Sequence, residues 1–464
     1  MKLKNVYVAV LGFWAVFFIR CENSPFLEGT NNTTNKVEWF HISLGAKQTT
    51  LNWSCSSSTK AWLAYGKHTP DSFKASMMNE KIHSVQMDHL EPNTDYMAYP
   101  YCGEMSEEKI LSVPFKTWIS DDPIKTRGIW IVGGIGADRK PVAEIDLYDP
   151  VENKWYPAVS RMPTPRAYAS VVNHKGIIFV IGGIIDVSGA FVISNKVEAY
   201  DPISNTWRSY ADLPTNIQGA VATSVENNIY VLAGTTTMDM TTGTLTNQVY
   251  KLFPDIPEGS AGTWVNYTSS TNIYKKIDMS GCTIGGTLFF TGGRFFNSGN
   301  PDPSSDVYVP SANAVTSFNE PSLTGDSRHG AGIACIRPQA GDPYPADRSG
   351  VIAAGGSTTG SITQPAGIIS PSFQFDYLST EPTAASFTAG PSIPIARYFP
   401  SVEYSYENRK AYVMGGAVSL NVPSTNVYAI EVNLSGAVWG PWETAGLASM
   451  PRARYAHSAV IISR

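Results

Sequence analysis

The sequence has few of the residues that local metal and catalytic motifs require. It contains seven histidines in 464 residues, and no two of them form an H-x-H or H-x-x-x-H pair. It also has no C-x-x-C, so a metal site built from neighbouring ligands has no support. Phosphate-binding loops, G-x-S-x-G elbows and Asp-box series are missing as well. We therefore expect no metal and no cofactor.

Charge is also sparse. Charged residues make up 16% of the chain, the net charge is −5, and no basic run occurs. A protein that binds nucleic acid usually carries a basic stripe or patch that neutralises phosphates. The composition therefore argues against nucleic acid as a partner.

No apolar run is long enough to span a membrane. The longest, Val6 to Ile19, has 14 residues and follows Lys2 and Lys4, which is typical of a secretory signal rather than a membrane helix. We predict a signal peptide over 1–20 and a polar tether over 21–35. Two readings stay open, namely an ordinary signal peptide cleaved nearby and a resemblance to bacterial lipoproteins, in which Cys21 would be lipidated. The protein would then be secreted, or held in the cell envelope (outer membrane or periplasm) by lipid alone.

What the sequence does have is repetition. "YDPVENKW" (Tyr148 to Trp155) recurs as "YDPISNTW" (Tyr200 to Trp207). Six apolar runs, roughly 50–60 residues apart, each end in Gly-Gly or Ala-Gly. Their final glycines are Gly134, Gly183, Gly234, Gly293, Gly356 and Gly416.

Each repeat has the pattern of four short strands. Runs of β-branched and aromatic residues alternate with Gly, Pro, Asn and Asp, which mark turns. One such sheet cannot bury both of its faces, whereas sheets stacked radially leave only short, protected edges. The pattern predicts an all-β fold with a six-bladed β-propeller.

The glycine pairs, the Tyr-Asp-Pro turns and the tryptophans that follow them resemble the kelch repeat, the type of propeller also found in galactose oxidase. The resemblance is strong in the first, second and last repeats. The middle repeats depart from it, because Ala233 replaces a glycine and Tyr250 has no Asp-Pro after it. We predict a six-bladed kelch β-propeller over 128–464. Arg454–Ile462 would supply the inner strand that the first repeat lacks and would pair with Gly128–Gly133.

A separate small β-domain is predicted over 36–118, joined to the propeller by a linker over 119–127. Its alternating strands have sandwich spacing, and "LEPNTDY" (Leu90 to Tyr96) resembles the tyrosine-corner region of fibronectin type III domains.

Five cysteines fit one lipidated residue and four others. Cys55 and Cys102 fall on the predicted second and sixth sandwich strands, and we predict a disulfide between them. Cys282 and Cys335 lie on the first strands of neighbouring repeats but at different offsets. We interpret them as small buried residues rather than a pair.

One set of residues suggests a binding site. Aligning the first strands places four arginines at one position, with Asn216 and Asp278 in the other two repeats. Kelch adaptors of ubiquitin ligases, which this resembles, hold acidic peptides with such arginines. The alternative is a structural role, in which each arginine bonds carbonyls of the next blade. The candidate ligand-binding residues are Arg166, Arg328, Arg397, Arg454, Tyr398, Tyr455 and His329.

These patterns favour a non-enzymatic binding protein that recognises a protein or glycan through one propeller face, and the arginines favour an acidic ligand. The alternative is a periplasmic sugar-converting enzyme resembling the kelch-type sialic acid mutarotases. A copper oxidase is disfavoured because only His329 and His457 lie near blade starts.

Overall fold

The computed structural model describes most of the chain as β-strand. The described residues are 35–92, 94–103, 111–117, 127–202, 205–238, 248–254, 260–268, 276–284, 286–294, 301–302, 305–317, 327–336, 348–358, 372–378, 387–432 and 440–462. None of them is helical, so no helix in these ranges could cross a membrane. The predicted signal peptide, Cys21 and nearly all of the tether and linker lie outside them.

The described residues form 34 strands. The N-terminal unit contains β1 (Val37–Ser43), β2 (Thr49–Gly66), β3 (Ser72–Met87), β4 (Asp95–Cys102) and β5 (Val113–Lys116). The first repeats contain β6 (Gly128–Val132), β7 (Ile135–Gly136), β8 (Glu144–Asp149), β9 (Lys154–Arg161), β10 (Ser170–His174), β11 (Ile177–Ile181), β12 (Ile184–Val187), β13 (Ala190–Ile193), β14 (Val197–Asp201) and β15 (Thr206–Ser209). The middle repeats contain β16 (Val221–Val225), β17 (Asn228–Leu232), β18 (Val249–Phe253), β19 (Thr263–Asn266), β20 (Ser280–Ile284), β21 (Thr287–Thr291), β22 (Ser305–Val309) and β23 (Ala314–Ser317). The last contain β24 (Gly332–Ile336), β25 (Arg348–Ala354), β26 (Ser372–Leu378), β27 (Phe387–Ala389), β28 (Ser401–Ser405), β29 (Lys410–Met414), β30 (Ala417–Ser419), β31 (Val422–Pro423), β32 (Val427–Glu431), β33 (Arg454–Tyr455) and β34 (Ser458–Ile462).

The repeats form antiparallel sheets, which we number I to VI in chain order. Sheet I is β34-β6-β8-β9, and sheet II is β10-β11-β14-β15. Sheets III, IV and V are β16–β19, β20–β23 and β24–β27, and sheet VI is β28-β29-β32. The first strand of each sheet contacts the first strands of the two neighbouring sheets. Sheet I joins the last sheet to the second, because its first strand β34 contacts both β28 and β10. These contacts close a ring around a central axis.

The C-terminal strand completes sheet I. β34 pairs with β6 in a register that places Ser458 opposite Val132 and Ile462 opposite Gly128. Without β34 the inner edge of β6 would be exposed, and exposed strand edges promote aggregation. This is the pairing that the two incomplete ends of the repeat array require.

Large aromatic rings pack within and between sheets. Trp207 is buried against Tyr200 in sheet II, and Trp130 of sheet I meets the same tyrosine edge-on. Trp155 packs beside Tyr148, and its indole N–H donates to the carbonyl of Ala448 at 2.8 Å. These rings therefore add apolar burial, and the indole N–H groups of Trp155 and Trp207 each add a hydrogen bond.

The second strand of the N-terminal unit differs from its prediction. Two predicted strands, "TTLNWSC" and "KAWLAYGK", are parts of the single 18-residue strand β2. β2 pairs with β3, β1 and β4, with register shifts between Ser54 and Ala61. The shifts let the strand bend between Ser54 and Ala61 without ending.

The tyrosine of the predicted corner has a defined partner. The hydroxyl of Tyr96 accepts a hydrogen bond of 2.9 Å from the backbone N–H of Glu91, and its ring stacks on Phe115. A tyrosine that bonds backbone a few residues upstream is the contact expected of a tyrosine corner.

The N-terminal unit is not separate from the ring of sheets. β1 pairs with the outer strand β15, and Ile42 lies opposite Trp207. The backbone N–H of Leu44 donates to the carbonyl of Asn205 at 2.9 Å. The expectation of a free-standing domain missed this pairing because an outer strand gives no sign in sequence of what will add to it.

Two disulfides are present among the described residues. Cys55–Cys102 joins β2 and β4 of the N-terminal unit, so Cys102 lies on the fourth strand rather than the sixth. Cys282–Cys335 joins the first strands of sheets IV and V, and our interpretation of these two as unpaired residues was wrong. Alternate residues of a strand face opposite sides of its sheet. A disulfide between neighbouring sheets therefore requires the two cysteines to lie at different positions along their strands. We had interpreted this difference as evidence against a disulfide.

Candidate functional site

A cavity of about 440 Å³ lies on the ring axis. Its wall is formed by the first strands of all six sheets, from Tyr168 to Asn173 in sheet II and at the corresponding positions elsewhere. Most of the lining side chains are small, chiefly alanine, glycine, serine and valine. The size is within the range of pockets that hold small organic ligands.

The cavity is constricted at one end by a ring of backbone. One residue of each sheet has a φ between +50° and +62° there, and these residues are Tyr168, Gly219, Asp278, Gly330, Phe399 and Ala456. Five hydrogen bonds of 2.6–3.1 Å run from the amide of one to the carbonyl of another in a neighbouring sheet. The ring of Tyr168 lies edge-on to Phe399, with centroids 5.1 Å apart. At the other end Thr283 is exposed, and the cavity opens there.

The two faces of the ring of sheets are distinct. The glycine-pair face, at the constricted end, carries the connections from second to third strand and from fourth strand to the next sheet. The Asp-Pro face, at the open end, carries the Tyr-Asp-Pro turns between third and fourth strands. This division follows from the registers, since Ser170 pairs with Ile181, and Ile181 with Val197.

The four arginines do not face the cavity. All are at most 1% exposed, and none lines the cavity. Each donates from Nη1 to the carbonyl of the first glycine of the pair in its own sheet. The donor–acceptor pairs are Arg166–Gly182, Arg328–Gly355, Arg397–Gly415 and Arg454–Gly133, at 2.8–3.4 Å. The expectation that they converge on a channel mouth was wrong, because their guanidinium groups satisfy backbone carbonyls inside the sheets.

Two of these arginines also form buried ion pairs. Arg166 Nη2 lies 2.6 Å from Glu198 Oε2, and Arg454 Nη2 contacts Asp146 Oδ2. Each acid lies on the third strand of the sheet to which its arginine belongs. Burial lowers the pKa of Arg454, and the charge of Asp146 opposes that shift. Each pair therefore ties the segment just before the first strand of a sheet to the third strand.

The structure also corrects the alignment in the two sheets without arginine. The carbonyl of each arginine accepts from the second glycine of the preceding sheet, as in Gly134 N to Arg166 O at 2.9 Å. The same bond runs from Gly183 to Ile217 and from Gly234 to Lys276. Ile217 and Lys276 are thus the equivalents, not Asn216 and Asp278. Lys276 is buried and bonds Asp302 Oδ2 at 3.1 Å.

The remaining candidate residues are also buried at the constricted end. Tyr398 and Tyr455 pack in an apolar cluster with Phe399, and neither lines the cavity. His329 Nδ1 lies 3.5 Å from Asp278 Oδ2, which also accepts from Arg294 Nε at 3.1 Å. Burial alone would raise the pKa of Asp278, but the hydrogen bond from His329 and the charge of Arg294 outweigh it and lower that pKa. This group is a buried cluster rather than an open site.

Sequence reasoning missed Glu403. It lies on β28 and lines the cavity. Burial raises its pKa to about 8, and a backbone hydrogen bond at Tyr404 offsets only part of this shift. The alternating pattern "SVEYS" could have indicated an acid on an inner strand, but nothing in one sequence shows which inner-strand residues reach the axis.

Similarity to known proteins agrees with this geometry. Residues 165–214 match the Kelch motif. Beta-scruin of Limulus polyphemus is 28% identical over 109 residues, which cover 23% of this chain and 12% of that protein. Kelch-like protein 40 of Xenopus laevis is 26% identical over 150 residues, covering 30% and 24%. Human kelch-like protein 23 is 24% identical over 184 residues, covering 39% and 30%.

These matches support a kelch-repeat β-propeller. The chain spans less than a third of the length of each of these relatives. A solved structure titled "Structure of YjhT" aligns with 64% of this chain and 87% of its own, at 14% identity and a TM-score of 0.48.

The kelch sheets expose apolar side chains mainly on one face. Eight large apolar side chains are exposed among the described residues of the ring of sheets. Six of them lie on the glycine-pair face: Phe191, Val192, Met238, Ile395, Leu420 and Val422. The other two are Val151, on the Asp-Pro face, and Val265, on the outer strand β19. Exposed apolar residues concentrated on connections of a rigid scaffold are typical of interaction surfaces.

No cluster of three or more potential metal ligands occurs among the residues that the structure describes. His457 lines the cavity, but burial, with the charge of Arg454, lowers its pKa to about 3. Its Nε2 lies 2.9 Å from the hydroxyl of Ser401. The neutral imidazole thus takes part in packing between sheets I and VI.

Proposed function

We propose that this protein is a non-enzymatic binding protein that recognises a protein or glycan through the glycine-pair face of a kelch propeller. The observation that carries the proposal is the concentration of six exposed apolar side chains on that face. Two of its connections are β-hairpins, β12–β13 and β30–β31, which present Phe191, Val192, Leu420 and Val422. Hairpins on a rigid ring can hold a contact surface at little entropic cost.

The proposal includes a finer architecture. Six sheets in a closed ring support a six-bladed propeller over 128–464. The Tyr96 contact supports a fibronectin type III-like unit over 36–118. An acidic partner is no longer favoured, because that idea depended on arginines that are bonded inside the sheets.

A matched set of variants tests the binding face. Leu420→Ser with Val422→Ser, and separately Phe191→Ser, should abolish signals of the purified protein on a protein and glycan array. Val151→Ser, an equally apolar change on the Asp-Pro face, should retain them. Equal loss in all three variants, or loss only with Val151→Ser, would contradict the proposed face.

We also propose that the protein is exported, and that Cys21 is lipidated so that the membrane is contacted only through lipid. The basic start and the 14-residue apolar run support this. Cys21→Ala should convert a detergent-phase protein into an aqueous-phase one. A wild-type protein already in the aqueous phase, with its mature N-terminus beyond residue 21, would refute lipidation.

A second candidate function is a sugar-converting enzyme, favoured by one observation. Glu403 is an acid with a raised pKa on the wall of the central cavity, and such groups serve as general acids. The arginines that would hold a sugar carboxylate lie outside that cavity. Exchange between the anomers of sialic acid, followed by NMR with wild-type protein and Glu403→Gln, distinguishes the two functions.

A further inference from the structure

The central cavity and Glu403 have no part in the binding face proposed above. The cavity, called the cup below, opens on the Asp-Pro face and is constricted by the backbone ring on the other. β28, which carries Glu403, lies between β24 and β34. The carboxyl group is thus held on the wall of a pocket of about 440 Å³ rather than at the protein surface.

The charges around the cup leave Glu403 without a cation. None of the described lining residues is lysine or arginine. The other titratable groups that line the cup are His457 just before β34, Asp278 at the constricted end, Tyr168 near it, and Tyr404 and Tyr406 of the hairpin that carries Glu403. Asp278 is neutralised by Arg294, and His457 is uncharged at neutral pH. An acid held in such a place either keeps its proton or takes up a cation.

Three hydroxyl groups of the cup are arranged as acceptors. Ser170, Ser280 and Ser458 each donate their proton to a carbonyl of a neighbouring sheet, at Ala220, Ala331 and Ala169 respectively. A serine oxygen whose proton is committed retains lone pairs that can only accept. The lining therefore suits a ligand rich in N–H donors.

We propose that the cup binds a small organic ammonium ion, whose charge pairs with Glu403 and whose N–H groups donate to hydroxyl oxygens of the wall. A protonated amine has three donors and no acceptor, which matches one carboxylate among acceptor oxygens. Neutral ligands of the same shape would lack the charge pairing. The site is independent of any partner on the glycine-pair face.

Calorimetry on the full-length protein tests this with two matched pairs of probes. Ethanolamine and glucosamine carry an amine, and ethylene glycol and glucose are their neutral counterparts. Both amines should bind at pH 7 at least about tenfold more tightly than their counterparts. Binding should release a proton from Glu403, so that the measured heat depends on the ionisation enthalpy of the buffer. Equal binding within each pair, no saturable binding of either amine, or binding without proton release would overturn the proposal.

Two variants locate the binding. Glu403→Gln should lose about tenfold or more in amine affinity and should no longer release a proton. Glu431→Gln, at an exposed position of β32, should behave as wild type. Because Glu403→Gln could disturb packing, NMR titration of the wild-type Glu403 carboxyl carbon provides a second readout. Ethanolamine should lower its pKa, and an unchanged titration with the amine present would also overturn the proposal.

Discussion

The two ends of the central cavity differ in how they hold charged groups. At the constricted end, cations recur at one position of the repeat, and each described guanidinium is bonded within its own sheet, as Arg166 is to Glu198. On the wall towards the open end, Glu403 occupies a position filled by Val172, Thr223, Cys282, Ala334 and Val460 in the other sheets. The arginines that recur in four of the six repeats therefore maintain the scaffold, and the acid that occurs once is the better candidate for function.

The largest effect should come from breaking the ring that both ends share. Deleting 451–464 removes Arg454 and the whole of β34, which leaves the inner edge of β6 unpaired. We expect insoluble or unfolded protein, as judged by circular dichroism and gel filtration. Deleting only 463–464, which follow β34, should leave a folded protein. A folded, soluble 1–450 fragment would show that the ring does not need its closing strand.

The next largest effect should distinguish the buried arginines of the repeats from arginines near the surface. Arg454→Ala would leave Asp146 buried without this partner, which should cost roughly 3–5 kcal/mol of unfolding free energy. Arg161→Ala, at a partly exposed pair with Asp95, should cost less than about 1 kcal/mol. Denaturant unfolding measures both. If Arg454→Ala instead left stability unchanged and reduced ligand binding, the structural role of the arginines would be refuted.

The glycine pairs offer a matched test of the constricted end. Gly134 has φ +94°, and a Cβ there would lie 2.7 Å from Cβ of His457 and 2.8 Å from the carbonyl oxygen of Tyr455. Gly176 has φ +87° in a turn on the Asp-Pro face, with nothing within 4 Å of such a Cβ. Gly176→Ala should cost only backbone strain, about 1–2 kcal/mol, whereas Gly134→Ala should add about 1–3 kcal/mol of overpacking. Equal midpoints in urea would contradict the close approach of sheets at Gly134.

The scaffold could be predicted from sequence because short local segments of the repeats encode the turns and the glycine pairs. The glycines require positive φ and close approach, and the Asp-Pro-Asn turns set the third and fourth strands. The direction of the arginines could not be predicted this way. An arginine at the same position in four repeats is equally consistent with a ring of ligand-binding residues and with a hydrogen bond repeated inside each sheet. The observed bonds to the carbonyls of Gly182 and its equivalents show that the second alternative is correct.

Pairings between sheets were also beyond sequence reasoning. Cys282 and Cys335 join because alternating strand residues face opposite neighbours. Thr223 and Thr283 meet in the same way between sheets III and IV, with hydroxyl oxygens 2.6 Å apart. The two pairs occupy equivalent positions around the ring, so this relation is a property of the ring and not of either strand alone.

The smallest effect should be the pH dependence that Glu403 gives to stability. Its pKa is about 8 in the folded chain and has the ordinary value of 4.5 when the chain is unfolded. A raised pKa means that the folded state binds the proton more tightly. The stabilisation is therefore complete below pH 4.5 and is lost as the pH rises from there through 8.

Glu403→Gln keeps a neutral side chain throughout and should not show this loss. The difference in unfolding free energy, variant minus wild type, should thus grow by roughly 1–3 kcal/mol between pH 5 and pH 8, with water in the cup reducing the full effect of about 1.4 kcal/mol per pH unit. Thermal unfolding across this range measures it, with Glu431→Gln as the control at an exposed site. A difference that stays constant with pH would mean that Glu403 is hydrated like a surface carboxylate, and the contrast between the two ends of the channel would then lie in geometry alone.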